Sequence, residues 1–175
     1  EHVRTARRYL SSLKIYESVE GLSFSILNKD TTENELETLF RPIFNGNHLG
    51  VLSEAGCPGI ADPGALAVYY AHRIGIRVIP LVGPSSILLA LMASGLNGQQ
   101  FAFHGYLPIK AKEGAKVIRE LGKESRSKKQ TQIFIETRYP NQSLFQNLVR
   151  TLAPETLLCV AADITGETEF ILTQS

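Results

Sequence analysis

Apolar positions along this chain alternate between helical spacing and short continuous runs, the pattern of an α/β protein. Near the start, Val3, Ala6 and Leu10 share one helical face and predict a helix over 4–13. A strand-like run at 23–27 is followed by a helix start. Thr31 or Thr32 stands at its cap, acids fill the first turn, and Leu36, Leu39, Phe40 and Ile43 form the apolar stripe behind. Asn45-Gly46-Asn47 ends that helix. Residues 49–53 read as a buried strand, 54–64 as the Gly/Pro-rich loop EAGCPGIADPG, 65–74 as a helix stopped by Gly75, and 76–81 as another apolar strand. Strand, crossover helix and strand in so short a span predict a parallel pair with a right-handed connection.

Val82-Gly83-Pro84 interrupts the rhythm, and Ser85 caps a new helix over 86–93 that ends at Gly95. Beyond it the pattern predicts a strand at 101–103, a loop at 106–112, a charged helix at 113–123 and a core strand at 132–136. A helix at 141–152 and a last parallel strand at 156–162 follow, and the chain closes on the strand-like FILTQS. The expected fold is α/β, with two lobes of largely parallel or mixed sheet and a cofactor cleft between them. The expected domains are 1–82 and 83–175. There is no initiator Met and no strand before the first helix, so the chain reads as a fragment of something longer.

Composition narrows the classes. The 175 residues are 43% hydrophobic and 20% charged, as in an ordinary globular protein. A chain of this length buries about 70% of its unfolded surface and needs no metal or disulfide to fold. The longest apolar stretch, 87–96, is broken by Ser94 and Gly95 and falls short of the ~20 residues that span a bilayer. Neither end carries a signal peptide, and two cysteines make no disulfide framework, so a reduced, cytoplasmic protein is expected. Net charge is only +1, but Lys110 to Lys129 holds eight Lys or Arg against three Glu, leaving the rest of the chain at about −4. Such asymmetry attracts a phosphate backbone; a solvated helix and loop is the other reading.

Two turns qualify for chemistry, because ligands of open α/β sheets sit outside the carboxyl ends of the strands. One is 54–64, where Gly56, Gly59 and Gly64 permit close approach while Pro58 and Pro63 stiffen the backbone. The other is 82–86, where Ser85 and Ser86 offer free amides at a helix start. Together they predict a cleft for a small polar organic ligand. Phosphate-loop, dinucleotide and nucleophile-elbow signatures are missing. His2, His48, His72 and His104 lack metal-ligand spacing, so no metal is expected. His104 is a candidate for lining the cleft. Cys57 reads as cleft lining rather than nucleophile, and Cys159 as core.

At this point a family resemblance emerges. VLSEAGCPGIADPG, IRVIPLVGPSSILLALMASGL and FAFHGYLPIK resemble the tetrapyrrole methylase superfamily, and within it the branch of small-subunit ribosomal RNA cytidine 2′-O-methyltransferases. EHVRTARRYL, TQIFIETRYP and ADIT match further segments of that branch in order, so the resemblance covers nearly the whole chain. It implies two α/β domains, S-adenosylmethionine in the cleft between them, ribosomal RNA as partner and a homodimer. By match, Ala55, Gly56, Cys57, Ile60 and Ala61 approach the cofactor from the first lobe. Gly83, Pro84, Ser85 and Ser86 meet it at the hinge, and Ile135, Glu136 and Thr165 sit near it from the second.

Glu54, Asp62 and Arg4, with Asn28, are the polar residues expected on the acceptor side, the first three as catalytic candidates. Asp62 also reads as a turn residue before Pro63, Glu54 as a cap for the glycine loop, and Glu136 as a structural strand end. This chain departs from the family pattern at Glu54, Cys57, Ala61 and Asp163, and lacks its P-H-R. Other acceptors in the superfamily are porphyrinoid or corrinoid carbons, or a modified histidine. A small-molecule methylase and a silent S-adenosylmethionine-binding module are therefore the alternatives.

Overall fold

The computed structural model describes residues 2–136 and 141–175. Glu1 of EHVRTARRYL and residues 137–140 of TQIFIETRYP lie outside the described residues. The chain divides into two units, Glu1–Pro84 and Ser85–Ser175.

The first unit carries helices α1 (Val3–Ser12), α2 (Glu33–Phe44) and α3 (Gly64–Arg73). Helix α2 begins in a reciprocal capping box. The Thr32 hydroxyl accepts from Glu35 N at 3.4 Å, and the Glu35 carboxylate accepts from Thr32 N at 2.7 Å. The Thr32 amide and the Thr32 hydroxyl, at 2.8 Å, both donate to the Glu35 carboxylate and hold it below the usual range. Leu36 and Phe40 of α2 pack with Ala67, Tyr70 and Ala71 of α3, and the Phe40 and Tyr70 rings meet edge to face at 5.0 Å.

The three runs read as strands in this unit, 23–27, 49–53 and 76–81, carry no β-ladder. Their apolar side chains pack on one side only: Leu27, Val51, Ile76 and Val78 turn inward onto the α2–α3 core, while Arg77 and Ile79 face out. An apolar run reports burial, and packing on two helices satisfies it. A ladder also needs a neighbouring backbone in register, which the pattern does not encode. The parallel pair predicted here is corrected accordingly.

The second unit is mixed α/β. Helix α4 (Ser86–Ser94) ends on Gly95 in the left-handed region (φ 70°). Strand β1 (Phe101–Tyr106) pairs in parallel with β2 (Thr131–Ile135), with α5 (Ala111–Lys128) as the crossover between them. The irregularity between Phe103 and Tyr106 coincides with Gly105 at φ 64°. Helix α6 (Asn141–Thr151) precedes β3 (Leu158–Ala162) and β4 (Phe170–Gln174), which pair with each other antiparallel. The strand expected at 156–162 as a last parallel member is thus half of an antiparallel pair. The connection to β4 is too short for the dozen or more residues a parallel crossover requires.

The core of this unit is Leu107, Ile118 and Leu148, with Phe134, Leu144 and Leu152 packed around them. A polar node joins its elements. Thr173 donates to the Ser94 carbonyl at 2.8 Å, the Thr131 hydroxyl to the Asn97 carbonyl at 2.9 Å, and the Asn97 amide to the Lys129 carbonyl at 2.7 Å. Among the described residues no helix is long and apolar enough to cross a membrane.

Candidate functional site

The glycine-rich loop takes its shape from one carboxylate. Asp62 Oδ1 accepts from Gly59 N at 3.0 Å and from Gly64 N at 2.7 Å, while Oδ2 lies 2.8 Å from Ser53 Oγ. Partial burial raises the Asp62 pKa, but the bonds from Gly59, Gly64 and Ser53 outweigh it and hold the carboxyl below its ordinary value. Ser53 Oγ also stands 3.0 Å from the Ala55 carbonyl, tying the loop's entrance to its brace. Sequence reasoning did not single out Ser53. Its position at the end of an inward-facing alternation, nine residues before an acid, was the available signal.

Gly64 opens α3 directly under this brace. A Cβ there would stand 2.7 Å from Asp62 Oδ1 and 2.9 Å from Gly59 N. Gly56 and Gly59 have φ of +73° and +83°, where a side chain is strained, and Ala61 shares that region at φ 53°. A side chain at Gly56 or at Gly83 would meet nothing within 4 Å, so the backbone on both turns borders open space.

The two turns adjoin. Cys57 Sγ donates to the Pro84 carbonyl at 3.3 Å, across 27 residues of sequence. Cys57 is half-buried against that turn, while Glu54, Ala55, Gly56, Ile60 and Ala61 are exposed beside it. The Glu54 carboxylate makes no hydrogen bond or ion pair among the described residues.

Other sequence candidates lie elsewhere. Arg4 is exposed on α1, and Asn28 organises its own turn, accepting from Asp30 N at 2.9 Å through its side chain. Ser85 is the N-cap of α4 but makes no side-chain cap bond, and Ser86 opens that helix. Ile135 ends β2 opposite Tyr106, with half-buried Glu136 next to it. Thr165 sits at φ 67° in the β3–β4 connection, where its N–H donates to the Glu169 carboxylate at 2.6 Å. The same connection is pinned by Asp163, which accepts from Thr168 N and Oγ1 at 2.9 and 2.6 Å. His104 Nε2 pairs with Gln132 Oε1 at 2.6 Å between β1 and β2. Among the described residues no cluster of His, Cys, Asp or Glu is placed to hold a metal ion.

No family model matches the chain. Curated relatives do. Over 172 residues it is 32% identical to the "Ribosomal RNA small subunit methyltransferase I" of Xylella fastidiosa, covering 98% of this chain and 60% of that protein. The proteins of that name from Vibrio cholerae and Buchnera aphidicola (subsp. Schizaphis graminum) are 30% and 31% identical. They cover 94% and 83% of this chain, and 55% and 50% of their own. The chain therefore spans about half the length of the curated relatives it matches.

Proposed function

We propose, from homology to the ribosomal RNA small subunit methyltransferase I proteins, that this chain is the S-adenosylmethionine-binding part of an enzyme that methylates a ribose 2′-hydroxyl of ribosomal RNA. The observation that carries the reading is the meeting of two glycine-bearing turns, 53–64 and 82–84, at the Cys57–Pro84 contact. The residues fit such a group. Gly56 and Gly83 leave space where a Cβ would stand, and the loop exposes backbone at Ala55, Gly56 and Ala61 with the apolar Ile60 beside it. Ala55, Gly56, Cys57, Ile60, Ala61, Gly83 and Pro84 would hold the cofactor from this unit. Ser85, Ser86, Ile135, Glu136 and Thr165 come to the reading from the resemblance alone.

When bound, S-adenosylmethionine supplies a methyl group already activated by its sulfonium. The protein is then left with alignment and exclusion of water, worth effective molarities of about 10⁵ to 10⁸ M for well-oriented partners. Asp62 serves by holding Gly59 and Gly64 in place, a positioning role that keeps both its oxygens occupied. Glu54, exposed and uncommitted at the loop's entrance, is the carboxylate we assign to accept the hydroxyl proton, and Arg4 is assigned to the acceptor side. The relatives' name favours RNA over a tetrapyrrole acceptor. A homodimer and a cytoplasmic location belong to the same proposal.

Calorimetry of the full-length protein with S-adenosylmethionine, together with methyl transfer to small-subunit ribosomal RNA, tests it. Binding and RNA methylation are expected, with Glu54→Gln binding cofactor normally but transferring methyl at least about 100-fold more slowly, the low end for a general base. Absence of cofactor binding refutes the proposal.

A further inference from the structure

Helix α5 runs from Ala111 to Lys128, and its charges are sorted by face. Lys112, Lys116, Arg119, Lys123 and Arg126 stand at i, i+4, i+7, i+11 and i+14. At 3.6 residues per turn they fall within about 80° of the circumference, a stripe about 21 Å long. All five are exposed. The helix's acids lie to one side of that stripe and are largely engaged away from it: Glu113 pairs with Lys110 at 3.3 Å and Glu124 with Lys128 at 3.2 Å. Among the described residues only Arg126 of the five has an ion-pair partner, Glu155 at 2.7 Å. Lys112, Lys116, Arg119 and Lys123 have none.

The stripe does not stand on a flat wall. Gly114 and Gly122 let α6 approach: a Cβ at Gly114 would be 3.3 Å from Asn147 Nδ2, and one at Gly122 3.4 Å from Leu152. Beside that close packing a groove of about 280 Å³ opens, lined by Arg119, Lys123 and Arg126 and, on the other wall, by the hydroxyl-bearing Thr151 and Thr156. Cations spaced about 4.5 to 6 Å along a helix axis, four of the five without an ion-pair partner among the described residues, suit contact with successive phosphates and carry no base-reading geometry.

We infer that this face of α5 is the phosphate-backbone contact of the ribosomal RNA substrate, and that Lys110 and Lys128 take no part in it. The inference rests on the proposed function for the identity of the polyanion. It accounts for the segregation of charge, since a merely solvated helix gains from interspersing opposite charges four residues apart. The contact positions RNA and adds affinity; sequence choice lies elsewhere.

The test uses the full-length protein, a hairpin transcript of small-subunit ribosomal RNA, and two variants of exposed residues, K116Q/R119Q/K123Q and K110Q/K128Q. Each phosphate contact contributes roughly 0.7 to 0.9 to the slope of log affinity against log salt. The stripe variant should therefore lose about 2 to 3 from that slope and bind at least about 100-fold more weakly at 0.1 M salt. S-adenosylmethionine binding should be unchanged, and the K110Q/K128Q variant should keep the parent slope within about 0.5. Undiminished RNA binding by the stripe variant assigns the face to some other acidic partner and overturns the inference, as does an equal loss in K110Q/K128Q. If the parent protein binds no S-adenosylmethionine, the enzymatic reading itself falls. If it binds the cofactor but not the RNA, the choice of polyanion falls.

Discussion

Gly64→Ala is the substitution that probes the candidate loop most directly, because it adds a single carbon at a crowded point. Gly64 is buried, and the new Cβ would stand 2.7 Å from Asp62 Oδ1, 2.9 Å from Gly59 N and 3.3 Å from Val51 Cγ1. The carboxylate cannot swing aside without releasing Gly59, Gly64 and Ser53. The second neighbour is backbone and the third belongs to the core. Overpacking of this kind costs about 1 to 3 kcal/mol, and the helix propensity of Ala over Gly returns at most about 1 kcal/mol. The expected net loss is about 1 to 2 kcal/mol. With a urea slope of about 2 kcal/mol/M, that lowers the unfolding midpoint by roughly 0.5 to 1 M. Far-UV circular dichroism reads it in a protein with no tryptophan.

Displacing Asp62 should also weaken S-adenosylmethionine binding by at least about tenfold, or 1.4 kcal/mol. Gly56→Ala is the control: its φ of +73° imposes about 1 to 2 kcal/mol of left-handed strain, but its Cβ touches nothing within 4 Å. It should leave the Asp62 brace intact. A Gly64→Ala protein as stable as the parent, with cofactor affinity unchanged, would refute the reasoning, for the loop would then not be built around that carboxylate.

Two other outcomes follow from the same structure. Asp62 has a folded pKa below its unfolded value of about 3.9, so its stabilisation is whole above that pH and is lost as pH falls through the lower folded value. Asp62→Asn should flatten this acid limb in urea unfolding run from neutral pH to about pH 3, and parallel curves for parent and variant would contradict the brace. Ile118, 1% exposed at the centre of the second unit, should cost about 2 to 5 kcal/mol on Ile118→Ala in chemical denaturation; a loss under 1 kcal/mol would mean the core lies elsewhere.

The helices were legible because their signals are local. Thr32 and Glu35 announce a capping box three residues apart, and Gly95 stops α4 in the conformation only glycine adopts freely. The charged helix was read as 113–123, whereas α5 extends from Ala111 to Lys128. Reading it short left Lys112 and Arg126 outside the helix and hid the alignment of five cations on one face. The runs at 23–27, 49–53 and 76–81 showed why an apolar run is an incomplete signal: 49–53, read as a buried strand, leaves Leu49 and Leu52 exposed, and none of the three joins a ladder.

The candidate loop shows the same division. Its glycines and prolines mark it from the sequence alone, and so does the order of motifs shared with the ribosomal RNA methyltransferases. Asp62 was legible as a turn residue or as an acid for chemistry, and only the fold chose, by turning two glycine amides and Ser53 toward it. The meeting of Cys57 with Pro84 likewise required the chain to return across 27 residues. Amino-acid order by itself determined where helices begin and stop, which turns lack side chains, and where positive charge gathers, since each depends on neighbours within a few positions. Which strands pair, which carboxylate becomes a brace and which lysines share a face with open space were decided by tertiary structure. Those outcomes depend on partners brought together from distant points in the chain.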